Sequence, residues 1–276
     1  MSGTDGTEGT GATGATGGGE VLAVREGDVV RITLSHPERR NALTFAMYDR
    51  LAEACDLADE PGVRVVVLRG AGGRAFAAGT DIRHFTAFDE ESGGEQGLAY
   101  ERRVGRSLAR LLALRAPLVG VVEGPAVGGG LALAAACDLL LATPDARFGA
   151  PIARTLGNLL PAPVVARLKD RLGGARALGM LLTAELMDAP TAAAAGLVHA
   201  VVDREELDAR AEDLVERLRT AAPLTLAGLK ETDRRLAAAA AAVDTDDLLR
   251  RAYGSADFRE GVRAFLARET PRWEGR

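Results

Sequence analysis

The sequence predicts an α/β layered core followed by a helical C-terminal region, and three observations carry that expectation. Strand, glycine-rich turn and helix recur twice between residues 20 and 143, the order that lays helices against a sheet. From about residue 205 only helical periodicity remains, with Leu207, Leu214 and Leu218 on one face. The 276 residues are 47 % hydrophobic and 26 % charged, enough for a sizeable core in one large domain or one domain with an appendage.

Taken in order, residues 1–19 are Gly/Thr/Ala repeats with neither a basic nor an apolar leader segment. Such a tract cannot bury enough surface to offset its ordering entropy, so it is expected to be a disordered tail. The core is assigned to 20–204 and the helical region to 205–276. VLAVREGDVVRITLS reads as two strands joined by a turn at Glu26-Gly27-Asp28. NALT (41–44) leads into a helix with Tyr48, Leu51, Cys55 and Ala58 on its apolar face. Residues 63–69 form a buried strand. The polar stretch 81–97, with Asp89, Glu90 and Glu91, is expected to be a mobile loop over a site. A helix over 99–114 buries Val104, Leu108, Leu111 and Leu112. Strands at 118–122 and 138–143 flank the second glycine turn, and the alanines at 237–242 are expected to be a packing face.

Charge and residue usage exclude several classes of function. A net charge of −5 and a pI near 5.4 argue against nucleic acid as a bulk partner. No stretch is long and apolar enough to span a membrane, so the expected location is the cytoplasm. Cys55 and Cys137 lie far apart in apolar surroundings, as buried thiols in a reducing compartment do. His36, His84 and His199 never fall at ligand spacing, so no metal site is legible.

Two glycine turns are the chemical signal. FAAGTDIRHF (76–85) follows one predicted strand and GPAVGGGLAL (124–133) follows another. Each sets backbone N–H groups at a strand end, the second from a helix N-terminus. Two such donors converging on one point make an oxyanion hole. The chain has no G-x-S-x-G elbow, and the glycine run has neither a following Lys-Ser/Thr nor the G-x-G-x-x-G spacing that opens a dinucleotide fold, so hydrolase, P-loop and dinucleotide readings fail.

With these turns stand HPERRNAL (36–43), VRVVVLRGAGGRAFAAGTDI (63–82), CDLLLAT (137–143), ARFGAPI (146–152), LLTAELMDAPTAAAAGLVHAVV (181–202) and DFREGVRAFL (257–266). Over nearly everything after the tail, the sequence resembles the crotonase, or enoyl-CoA hydratase/isomerase, superfamily. The resemblance implies a crotonase-like spiral of ββα units whose C-terminal helices help assemble a homotrimer or a dimer of trimers. It implies an acyl-CoA substrate, with coenzyme A entering as part of that substrate and no separate cofactor or metal. The N–H groups of Thr80 and Gly129 would form the oxyanion hole for the thioester carbonyl as an enolate develops. Arg39, Arg40, Arg74, Ala78, Gly79, Asp81 and Ile82 would lie along the CoA.

The pattern breaks at the acid–base positions. In a hydratase of this family one glutamate follows the glycine triplet by two residues and another follows the F-G-x-P segment. Here those positions hold Ala132 and Ile152, and an aspartate used by other members would fall near Leu160. His84, Glu101, Glu123, Arg154 and Asn158 are the substitutes in reach, with Tyr100 and Thr155 beside them, while Asp81 is expected to be structural. The reading is therefore an acyl-CoA lyase or isomerase that is not an efficient standard hydratase. A decarboxylase or C–C lyase of the same superfamily and a catalytically silent acyl-CoA-binding protein stay open.

Overall fold

Side-chain alternation builds the central sheet of the computed structural model, which describes residues 18–276. Most of the expected N-terminal tail, residues 1–17, lies outside the described residues. β1 (Glu20–Glu26) and β2 (Val29–Ser35) form an antiparallel hairpin. They turn at Gly27, whose φ of +64° suits glycine. β2 then runs parallel to β3 (Val65–Gly70), and β3 to β4 (Leu118–Val122). After β5 (Pro125–Val127), β6 (Leu139–Ala142) pairs with β4, and after β7 (Arg147–Gly149) and β8 (Met187–Asp188), β9 (Ala200–Val201) pairs with β6. The order β1-β2-β3-β4-β6-β9 makes the large sheet, and β5-β7-β8 a small one.

Period-two patterning gives the large sheet two apolar faces. Val30, Ile32, Leu34, Val66, Leu68 and Val122 point to the main core. Val29, Val65, Val67, Val119 and Val121 point the other way. The main core is filled from α1 (Phe45–Ala58), α2 (Gly93–Ala113) and α3 (Gly129–Ala136). Thr44 caps α1 by accepting from Met47 N at 3.2 Å. Tyr48, Leu51, Cys55 and Ala58 are buried on the face that the spacing predicts. Burial pushes the Cys55 and Cys137 thiols up to about 12.

α4 (Ile152–Thr155), α5 (Ala162–Leu172), α6 (Gly174–Thr183) and α7 (Ala189–Ala195) follow. The last four helices are α8 (Leu207–Arg219), α9 (Pro223–Ala241), α10 (Asp246–Tyr253) and α11 (Ala256–Ala267). α8 covers the second face of the sheet through Leu207, Ala211 and Val215, whereas α10 reaches back onto α2. Among the described residues no helix is long and apolar enough to cross a membrane.

Two local expectations are corrected. Residues 81–97 are not one loop: Asp81 caps a 3₁₀ turn at Ile82–Ala87, and α2 begins at Gly93 rather than at 99. Asp89 accepts from both the Ser92 N–H and hydroxyl at 2.7 Å, and Phe85 packs edge-on against Phe258 at 5.5 Å. The glycines of this stretch are packing residues, since a Cβ on Gly94 would lie 2.8 Å from the Arg250 carbonyl oxygen. The alanine run is the second correction, for Ala238 and Ala239 are exposed rather than covered within the chain.

A Cβ on Gly97 would sit 2.1 Å from Cγ of the fully buried Tyr253 ring. Gly97→Ala is therefore expected to lower unfolding stability by about 1–2 kcal/mol, because overpacking outweighs the helix-propensity gain of about 1 kcal/mol. Urea denaturation reads the loss, and a stabilised variant would show that α10 does not pack this tightly.

Candidate active site

Both donor turns owe their shape to a glycine placed one residue ahead of the donor. Gly79, with φ of +101°, precedes Thr80, and Gly128, with φ of +56°, precedes Gly129. Leu43 N–H donates to Gly79 O at 2.8 Å and Asp81 N–H to Leu43 O at 2.9 Å, which leaves the Thr80 N–H between them unused. Gly128 N–H donates to Gly149 O at 2.9 Å, while Gly129 N–H stands in the open first turn of α3. Among the described residues neither the Thr80 nor the Gly129 N–H has a protein acceptor.

The turns abut closely. A Cβ on Gly128 would lie 3.6 Å from Gly79 Cα, and one on Gly130 only 2.1 Å from Ala77 O. Behind them runs a chain of hydroxyls. Tyr48 and Tyr100 each hydrogen-bond Thr80 Oγ1, at 2.9 and 2.7 Å. Tyr48 is fully buried, and its hydroxyl would be 2.3 Å from a Cβ on Gly129. No side chain larger than glycine's hydrogen fits at 129.

Thr80 and Gly129 open into a cavity of about 340 Å³. Ala78, Gly79, Asp81, Ile82 and Arg39 line one part of it. Ala132, Ile152, Leu156, Leu160, Val164 and Phe265 give an apolar part. Its acid is Glu101, carried with Tyr100 on α2. Burial pushes Glu101 up to about 8, opposed by a short hydrogen bond donated by the Tyr253 hydroxyl. Asn158 Nδ2 in turn donates to Tyr253 Oη at 3.0 Å. Asp81, the other carboxylate on the wall, is committed to Arg83 and accepts Arg83 N–H at 3.1 Å. The Arg83 hydrogen bond holds its carboxyl below the usual range.

The remaining candidates lie elsewhere. Glu123 directly follows β4 in a bridge between Arg69 (3.0 Å) and Arg204 (2.6 Å), away from the cavity. Its charge is already balanced, so it is a structural carboxylate. His84 stacks on Phe45 with ring centroids 4.1 Å apart and does not line the cavity. Its Nε2 is enclosed, and burial lowers its pKa, so the ring is neutral at pH 7. Arg154 is exposed on α4, outside the cavity. Arg40 and Arg74 line a separate recess with Pro37, Glu38 and Pro125. Thus Thr80, Gly129, Glu101 and Asn158 are brought together, with Arg39, Ala78, Gly79, Asp81 and Ile82 on the same wall. Tyr253 was not legible from sequence: it lies 152 residues from Glu101, and its signal is the glycine face of α2 that admits it.

This fold and site have relatives. Residues 24–276 match the enoyl-CoA hydratase/isomerase family model. The chain belongs to the enoyl-CoA hydratase/isomerase family. It is 33% identical to the 1,2-epoxyphenylacetyl-CoA isomerase of Escherichia coli K12, over 93% of this chain and 98% of that one. It is 31% identical to the carnitinyl-CoA dehydratase of Proteus mirabilis, over 91% and 96%. A solved methylmalonyl-CoA decarboxylase in complex with 2-nitronate-propionyl-CoA superposes with a TM-score of 0.83 at 27% identity, covering 93% of this chain and 99% of that one. The architecture is accordingly the crotonase fold.

Glu101 links this site to stability. Unfolded glutamate ionises near 4.5, whereas folded Glu101 keeps its proton up to about 8. Within that window the native state binds the extra proton, so its contribution to stability is lost as pH rises. Glu101→Gln is expected to gain stability relative to the parent from about pH 5 to about pH 8 and to level off above that, read by denaturation at several pH values. A difference that stays constant over that range contradicts the assignment.

Proposed function

We propose that this protein acts on an acyl-CoA thioester through an enolate, with Thr80 and Gly129 N–H groups holding the carbonyl oxygen and Glu101 moving the proton. The observation that carries this reading is Glu101 itself. It is a buried, neutral carboxylic acid on the wall of the cavity into which two unpaired N–H groups open. Negative charge grows on the oxygen as the enolate forms, so donors fixed in advance favour the transition state over the substrate. A carboxyl that titrates about one unit above neutral pH can work in either direction.

One carboxyl suits reactions that move a proton at one face. In decarboxylation, the C–C bond to the departing CO₂ breaks and its electron pair enters the enolate. Glu101 O–H then breaks, a C–H bond forms at the α-carbon and the thioester carbonyl returns. In isomerisation, ionised Glu101 takes a proton from one carbon and returns it to another. Hydration needs a water held and split by two carboxyl groups. The positions where hydratases of this family carry them hold Ala132 and Ile152, both on the cavity wall. A decarboxylase and an isomerase stand among the relatives, so the family accommodates both reactions. A silent acyl-CoA binder would have no use for a neutral carboxyl beside the hole.

Arg39 on the wall, with Arg40 and Arg74 in their own recess, would meet the phosphates of CoA. Leu224, Leu229 and Leu236 on α9 are 65–87% exposed, which supports self-association, and a trimer or a dimer of trimers is the assembly that the family resemblance implies. No resident cofactor is invoked, and we place the protein in the cytoplasm.

Hydrogen–deuterium exchange at the α-carbon of butyryl-CoA in D₂O tests this reading without knowledge of the natural acyl group. The parent protein is expected to catalyse exchange, with kcat/KM rising through about pH 8 as Glu101 ionises. Glu101→Gln should lower it at least ~100-fold, and Gly130→Ala, which drives α3 away from Ala77 O, by roughly 10²–10³-fold. Crotonyl-CoA hydration should stay feeble. Exchange unaffected by Glu101→Gln, or hydration at an ordinary hydratase rate, overturns the reading.

A further inference from the structure

Glu101 has two carboxyl oxygens in unlike surroundings. Oε1 accepts the hydrogen bond from the Tyr253 hydroxyl. Oε2 has no partner among the described residues, yet it is not one of the enclosed, unpartnered polar atoms. Since Glu101 lines the cavity, Oε2 is the oxygen that faces the open space.

Tyr253 is fixed from behind. Asn158 Nδ2 can only donate, and it donates to Tyr253 Oη at 3.0 Å. The Tyr253 proton must then point away from Asn158, and Oε1 is its acceptor. With Oε1 occupied as an acceptor, a proton on Glu101 belongs on Oε2. The ring can reach this position because Gly97, four residues before Glu101 on α2, leaves the space where a Cβ would meet Tyr253 Cβ at 2.2 Å and Cγ at 2.1 Å. Gly93 and Gly94 also lie against α10 backbone, where a Cβ would meet Tyr253 O at 3.2 Å and Arg250 O at 2.8 Å.

We propose that Tyr253, oriented by Asn158, is a positioning residue that reserves the cavity-facing oxygen of Glu101 for the transferable proton. The C-terminal helix α10 thereby completes a site whose donors, acid and amide (Thr80, Gly129, Glu101 and Asn158) come from the first 160 residues. This inference rests on the reading of Glu101 as the proton carrier. Tyr253 does not touch the substrate; it acts through Glu101.

The groups facing Glu101 from the packed elements are Tyr253 of α10, Tyr48 of α1, Tyr100 of α2 and Asn158 from the segment after α4. All are neutral at pH 7. The charged groups on the cavity wall are Arg39 and the mutually committed Asp81–Arg83 pair. Burial raises Glu101 and Tyr253 alone is set against it, so loss of the Tyr253 hydroxyl has a defined sign. Ionised Glu101 loses its one hydrogen-bond donor, and the midpoint moves up.

Tyr253→Phe keeps the ring packing and removes one oxygen. In protein labelled with ¹³C at glutamate carboxyls, with Glu101→Gln identifying the resonance, the Glu101 midpoint is expected to rise by about one pH unit. The limb of kcat/KM for butyryl-CoA exchange should move by the same amount, which a purely structural loss would not do. Asn158→Ala, at a partly exposed position, should move the midpoint the same way by less. An unchanged midpoint in Tyr253→Phe, or in Asn158→Ala should Tyr253→Phe not fold, overturns the inference. If Glu101→Gln keeps full exchange while Tyr253→Phe shifts the midpoint, the positioning stands and the proton-carrier reading fails.

Discussion

The approach of two glycine turns is the constraint on which the rest of this molecule depends. Gly130 can lie against Ala77 O, and Gly129 against the Tyr48 hydroxyl, only because neither carries a Cβ. That approach sets the Thr80 and Gly129 N–H groups side by side and leaves both without protein acceptors. Unpaired buried donors are costly unless a ligand takes them. The parallel order β2-β3-β4-β6 fixes where they occur, because both turns leave the sheet at the same end. Fold and chemistry are thus coupled through backbone rather than through side chains.

The acid–base partner is held by a separate device. α2 carries Tyr100 and Glu101 as neighbours, one hydrogen-bonded to Thr80 Oγ1 and the other to Tyr253. A helix cannot usually point consecutive residues at one feature, and here the two side chains serve opposite sides of it. Tyr100 steadies the oxyanion turn, while Glu101 answers to α10. Burial without a cationic partner leaves Glu101 neutral, which is costly above pH 8 and useful below it.

Much of this was legible in the sequence because it is written in local patterns. The alternation at Val30, Ile32 and Leu34, the capped helix after Thr44 and the two glycine turns each depend on residues close in the chain. The stretch 81–97 has the composition of a loop because Gly93, Gly94 and Gly97 show their role only against α10. Glu123 looked reactive because it stands beside the second turn, yet Arg69 and Arg204 reach it from distant parts of the chain. Tyr253 could not be found by spacing at all, since its partner is set by the packing of one helix on another. The local scaffold could be read, whereas the pairings that decide protonation are long-range.

The central claim is that Thr80 and Gly129 polarise a thioester carbonyl. Difference infrared spectroscopy of butyryl-CoA labelled with ¹³C at the carbonyl, bound to Glu101→Gln so that no proton moves, measures this polarisation directly. The account predicts a carbonyl stretch displaced to lower frequency than in water, with the displacement lost in Glu101→Gln combined with Gly130→Ala. A bound thioester whose stretch matches the free ligand would contradict it.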